Sequence, residues 1–156
     1  MTKKITTNSD KDMRDHASKF ARELHGGEVL ALTGELGAGK TTFAQGLAKG
    51  LGIKGRVTSP TFIIMRQYNT KLKTLASRRS GQNSKVKSLY HLDLYRLEHD
   101  LESEVKNLGI TDVWGKPENI VVIEWAEKIK ALLPRSATWI KFEVIDSGGH
   151  RVSYLE

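Results

Sequence analysis

Apolar residues in "SDKDMRDHASKFARELHGG" (residues 9–27) recur at Met13, Ala17, Phe20, Ala21 and Leu24, a spacing that predicts one amphipathic helix. Ser9 reads as its N-cap with Asp12 three positions on, and Gly26 and Gly27 as its stop. The pattern then changes. "EVLALT" (28–33) is apolar without alternation, as expected of a short strand buried on both faces of a parallel sheet. "KTTFAQGLAKGL" (40–51) returns to helical spacing, with Phe43, Ala44, Leu47, Ala48 and Leu51 forming a stripe that can cover that sheet. Further strands are predicted in "TFIIMRQY" (61–68), "SLYHLDLY" (88–95) and "NIVVIEW" (119–125). A helix carrying Leu101, Val105 and Leu108 and ending at Gly109 is predicted between the last two. "TWIKFEVID" and "HRVSYLE" alternate on either side of Ser147, Gly148 and Gly149, as an antiparallel hairpin does.

These elements predict an α/β three-layer sandwich with a mainly parallel sheet and an antiparallel C-terminal hairpin. No internal repeat or linker interrupts them, so residues 1–156 read as a single domain. Charge adds one feature. The chain carries a formal net charge of +7, and the segment 70–88 holds Lys71, Lys73, Arg78, Arg79, Lys85 and Lys87 with no acid. Elsewhere 19 basic residues face 18 acidic ones, so the excess is concentrated in a basic loop or hairpin tip. The N-terminal residues lack the apolar core of a secretory signal, no apolar run is long enough for a membrane span, and cysteine is absent. A cytoplasmic location is expected, and disulfides and thiolate metal sites are excluded.

The chemistry sits between the first predicted strand and the second helix. Gly34 to Thr41, "GELGAGKT", fits G-x-x-x-x-G-K-[ST] in the strand–loop–helix context that a phosphate loop requires. Backbone N–H groups of such a loop wrap the β-phosphate, and the following helix directs its positive end at the same anion. Lys40 is the mobile cation for the β and γ oxygens, and Thr41 is the hydroxyl ligand for magnesium. Magnesium also requires a carboxylate at the end of a neighbouring buried strand. Glu124 closes the apolar run "NIVVIE" and is assigned to the metal, directly or through water. Asp93 closes "SLYHLD" and is assigned a catalytic or water-orienting role, with His91 as a strand residue orienting it. Lys40, Asp93 and Glu124 are the candidate catalytic residues. The guanine-reading [NT]-K-x-D pattern has no match, since Thr70-Lys71-Leu72-Lys73 places lysine where the acid belongs; ATP is expected over GTP.

The four motifs "GELGAGKTT", "TSPTF" (58–62), "YHLDLYRL" (90–97) and "VIEWAE" (122–127), in this order, resemble the TsaE family, small bacterial ATPases required for threonylcarbamoyl-adenosine formation on tRNA. The resemblance spans nearly the whole chain and implies a P-loop NTPase-like fold. It implies that Leu36, Gly37, Ala38, Gly39, Lys40, Thr41 and Thr42 hold the phosphates of ATP or ADP, with magnesium on Thr41 and Glu124. Thr58, Ser59, Pro60 and Thr61 would form a switch-like loop sensing the γ-phosphate. Asp10, beside Ser9 at the first helix's start, and Arg151 in the final hairpin would be further nucleotide contacts. Partners would be the TsaB and TsaD proteins; TsaD transfers the threonylcarbamoyl group and the ATPase resets the assembly for another tRNA.

Two departures stand out against the family pattern. The basic segment is longer than the usual crossing between the "TF" and "DLYR" strands, and reads either as an arm for tRNA phosphates or an acidic partner or as a solvated loop. Ala126 stands where relatives often carry proline. Trp114, Trp125 and Trp139 read as packing residues, Trp125 also as a reporter of nucleotide occupancy. Two other function classes share the phosphate loop: a small-molecule kinase, and a non-catalytic nucleotide-sensing module.

Overall fold

The computed structural model describes residues 3–60, 63–70, 86–146 and 148–155. Thr61, Ser147 and the basic positions Lys71, Lys73, Arg78, Arg79 and Lys85 lie outside the described residues. Seven strands form one sheet: β1 (Lys3–Thr7), β2 (Val29–Thr33), β3 (Met65–Asn69), β4 (Ser88–Asp93), β5 (Asn119–Glu124), β6 (Thr138–Val144) and β7 (His150–Leu155). Their order is β1-β7-β6-β2-β5-β4-β3. The four central strands β6, β2, β5 and β4 run parallel to one another. Antiparallel β7 and β1 extend one edge and antiparallel β3 the other.

Helices cover both faces, because β2 and β5 are apolar on both and β4 adds Leu89 to one and Leu92 to the other. Leu30, Leu32, Leu89, Ile120 and Val122 pack beneath α1 (Asp10–Ala21) and α2 (Lys40–Gly50). Val29, Ala31, Leu92, Val121 and Ile123 pack on the opposite side against α3 (Leu101–Asn107) and the 3-10 turns Ile110–Val113 and Ala126–Ile129. Period-two alternation assigns these residues to the two faces. The same alternation turns His91, Asp93 and Glu124 toward the α1/α2 side. Trp114, Trp125 and Trp139 all pack against the second core, in line with a packing role.

α1 and α2 approach closely because α2 presents Gly46 and Gly50 to α1. A Cβ on Gly46 would stand 2.5 Å from the Arg14 carbonyl oxygen and 2.7 Å from Ala17 Cβ; one on Gly50 would meet Ser18 O at 2.5 Å. Phe43 fills the space between this helix pair and the sheet, edge-to-face with Phe142 at 5.3 Å between centroids.

Three boundaries differ from the sequence reading. The helix predicted up to Gly26 ends at Ala21, although Leu24 is still buried. The strand predicted from residue 61 begins at Met65, because Ile64 has φ +52° and Ile63 N–H donates to Pro60 O in a turn. β1 was not predicted: "KKITT" is short and polar, and it is a strand because β7 offers it a free edge. Among the described residues no helix is long and apolar enough to cross a membrane.

Candidate active site

β2 ends at Thr33 and the chain turns through Gly34–Gly39 into α2, so the loop lies over the C-terminal ends of the parallel strands. Gly39, the residue before α2, has φ +101°, and a Cβ there would stand 2.8 Å from Met13 Cε. The left-handed backbone favours glycine here, whereas the Met13 methyl, at the end of a flexible side chain, could move aside. No side chain caps the first turn of α2, leaving its N–H groups directed at the cavity.

The cavity has a volume of about 470 Å³. Leu36, Gly37, Gly39, Lys40, Thr41 and Thr42 line one wall. Ala38 contributes backbone to the loop but buries its methyl in the core beneath. Asp10, the first residue of α1, lines the rim. Asp93 and Glu124 lie at the cavity's base, at the ends of β4 and β5, where they are paired in register.

Lys40 is 4% exposed, and its Nζ donates to the carbonyls of Gly34 and Glu35, the latter at 2.8 Å. The ammonium also stands 4.0 Å from the centroid of the Trp125 ring. Burial lowers the Lys40 pKa, while the negative charges of Glu124, Glu127 and Asp93 act in the opposite direction.

Thr41 Oγ1 reaches both oxygens of Glu124, Oε1 at 3.0 Å and Oε2 at 2.9 Å. Glu124 is 2% exposed, so its charge requires these partners. His91 Nε2 stands 2.8 Å from Glu124 Oε1, which corrects the expectation that His91 orients Asp93. The reason is register: β4 and β5 run parallel with Asp93 opposite Glu124, and His91, two residues back on the same face, extends diagonally to the carboxylate of the neighbouring strand. Asp93 is held otherwise. Its Oδ2 accepts from Ser59 Oγ and its Oδ1 from the Tyr95 N–H at 2.9 Å.

The expected switch-like loop is connected to this base. Ser59 lines the cavity, Arg66 Nη1 donates to Thr58 Oγ1 at 3.4 Å, and Gln45 Nε2 holds the Val57 carbonyl at 3.0 Å. Arg151 is exposed and is not among the residues lining the cavity. Its neighbour His150, on the other face of β7, reaches the loop instead, with Nε2 3.2 Å from Gly37 O.

Two contributors, Tyr95 and Lys128, were not singled out in the sequence, and Trp125 stands beside them. Tyr95 lines the cavity and packs on Trp125 with centroids 5.1 Å apart. Trp125 itself adopts φ +60°, an uncommon conformation for a bulky residue. Lys128 uses all three ammonium protons on the carbonyls of Leu94 (3.0 Å), Tyr95 (2.8 Å) and Leu97 (3.0 Å), fastening the loop after Asp93. Only Tyr95 had a readable signal, since it lies within "YHLDLYRL".

A glycine loop between a buried strand and a helix, a buried lysine, and a threonine against a strand-end carboxylate define a P-loop NTPase-like α/β protein. Comparison with known proteins narrows this class. The chain belongs to the TsaE family: the model for "Threonylcarbamoyl adenosine biosynthesis protein TsaE" matches residues 7–152. The tRNA threonylcarbamoyladenosine biosynthesis protein TsaE of Treponema pallidum is 33% identical over 151 residues, 96% of this chain and 98% of that protein. The TsaE of Bacillus subtilis is 41% identical over 109 residues, covering 70% of this chain and 57% of the relative's length. The crystal structure of Bacillus subtilis YdiB superposes with a TM-score of 0.72 at 27% identity, covering 99% of this chain and 84% of that one. The family takes part in tRNA threonylcarbamoyladenosine biosynthesis.

Proposed function

We propose that the chain binds ATP with magnesium in the phosphate-loop cavity and hydrolyses it as the ATPase of the tRNA threonylcarbamoyladenosine assembly, resetting TsaB and TsaD between turnovers in the cytoplasm. The observation that carries this reading is the Thr41–Glu124 pair, a hydroxyl and a buried carboxylate side by side at the mouth of a glycine loop. Its donor set is all oxygen, which fits magnesium. Among the described residues no cluster of three or more His, Asp or Glu forms a cage. When bound, magnesium neutralises charge on the β and γ oxygens.

The residues divide the work. Loop N–H groups and the start of α2 receive the phosphates, and Lys40 exchanges its carbonyl partners for phosphate oxygens. Asp93 orients the attacking water, and Ser59, hydrogen-bonded to Asp93, links that step to the switch-like loop. Lys40 is the only basic side chain among the described residues lining the cavity: Arg56 is exposed outside it and Arg66 is directed at Thr58. A phosphoryl-transfer site without an arginine at the γ-phosphate runs several orders of magnitude below its potential rate. Hydrolysis is therefore slow in isolation and stimulated by TsaB and TsaD, and the basic 70–88 segment approaches tRNA or an acidic partner surface.

Steady-state phosphate release by the full chain, alone and with TsaB and TsaD, tests the reading. Stimulation is expected, and Lys40→Ala is expected to abolish ATP binding in calorimetric titration. Fast hydrolysis by the chain alone with no response to the partners overturns it.

A further inference from the structure

We infer that His91 is a positioning residue that presents the Glu124 carboxylate to a hard divalent cation. The inference rests on the proposed reading of Thr41 and Glu124 as the magnesium pair. His91 is fully buried in β4, with Nε2 2.8 Å from Glu124 Oε1. An ionised carboxylate only accepts, so Nε2 carries a proton and donates it. The other ring nitrogen, Nδ1, is buried with no hydrogen-bond partner among the described residues.

That unpartnered nitrogen argues against a packing role. A buried polar atom without a partner is destabilising, and a leucine at the same position would avoid the cost. What histidine adds over leucine is the Nε2–H directed at Glu124. Among the described residues two side chains hold Glu124: Thr41 reaches both oxygens from the cavity side, and His91 takes Oε1 from the sheet side. Thr41 belongs to the metal pair itself. His91 is then the donor from outside the pair that fixes the carboxylate plane, claiming Oε1 so that Oε2 would be left to a bound cation or its water. Such outer partners typically account for 10- to 100-fold in metal affinity.

The test uses the full chain with ADP, manganese(II) as the probe read by electron paramagnetic resonance, and metal-free ADP affinity measured in EDTA by calorimetry. His91→Leu is expected to weaken manganese binding to the ADP complex by about 10- to 100-fold while leaving metal-free ADP affinity unchanged. His91→Gln, whose amide N–H reaches a similar distance, is expected to restore manganese affinity to within a few-fold. Thermal unfolding shows whether each variant folds. If His91→Leu does not fold, His91→Asn takes its place, because its amide is one methylene shorter; it is expected to weaken manganese binding where the glutamine keeps it. Wild-type manganese affinity in the leucine variant, or in the asparagine variant where that one is used, overturns the inference. Equal loss of metal-bound and metal-free ADP affinity also overturns it, by making His91 merely structural. A wild-type chain that binds ADP with no dependence on the cation overturns the Thr41–Glu124 reading itself.

Discussion

Two carboxylates stand opposite each other at the ends of β4 and β5, and they have different hydrogen-bond partners. Glu124 is held by Thr41 and His91, the partners expected around a metal ligand. Asp93 is tied to Ser59 and to the Tyr95 amide, on the side of the switch-like loop. Glu124→Ala is therefore expected to weaken the magnesium dependence of nucleotide binding. Asp93→Ala is expected to leave binding nearly intact and to lower hydrolysis by about 10²- to 10⁴-fold, the range for a lost proton-handling group. Calorimetry at several magnesium concentrations beside single-turnover hydrolysis checks both, and swapped phenotypes reverse the assignment. Both acids were legible because each ends an apolar run. The partner of His91 was not, because strand register decides it.

Among the elements, α2 carries two opposed demands at Gly46. In a helix interior alanine is favoured over glycine by about 1 kcal/mol. Against that, a Cβ would stand 2.5 Å from the Arg14 carbonyl oxygen, which is α1 backbone and cannot swing aside. Forcing the helices apart also loosens Phe43 and Met13. Overpacking of this kind costs about 1–3 kcal/mol, so the clash outweighs the propensity. Gly46→Ala is expected to lower the urea midpoint without changing the slope, and an unchanged or raised midpoint would show that α1 yields. The apolar stripe of α2 was readable from its period. The use of Gly46 was not, since the sequence alone does not show which helix lies against it.

At the scale of the whole molecule, His16 on α1 joins the helical layer to β7, the strand next to the β1 edge of the sheet. Its Nε2 stands 2.5 Å from Tyr154 Oη on β7, and its ring packs beside Phe43. Burial, with Lys3 and Lys19 adding to it and Glu23 opposing, lowers the His16 pKa below its ordinary 6.5. The unfolded chain thus binds the His16 proton more readily than the folded one. Stability from this group is complete above pH 6.5 and is lost progressively as pH falls from there toward the lower folded value. Thermal unfolding from pH 8 to 5 is expected to show a steeper decline for wild type than for His16→Gln; parallel curves would remove His16 from the account.

The sequence by itself determined what depends on local order: the phosphate loop with its flanking strand and helix, the two strand-end acids, the C-terminal hairpin and the two-faced burial of the central strands. Those follow from backbone conformation and period, which neighbours along the chain set. Tertiary structure alone decided the fate of residues whose role depends on a distant partner. β1 is a strand because β7 is beside it. His150 rather than Arg151 meets the loop because β7 turns alternate residues to opposite faces. Lys128 fastens the carbonyls of residues 94, 95 and 97, and His91 grips Glu124, because packing and register bring together groups more than thirty positions apart.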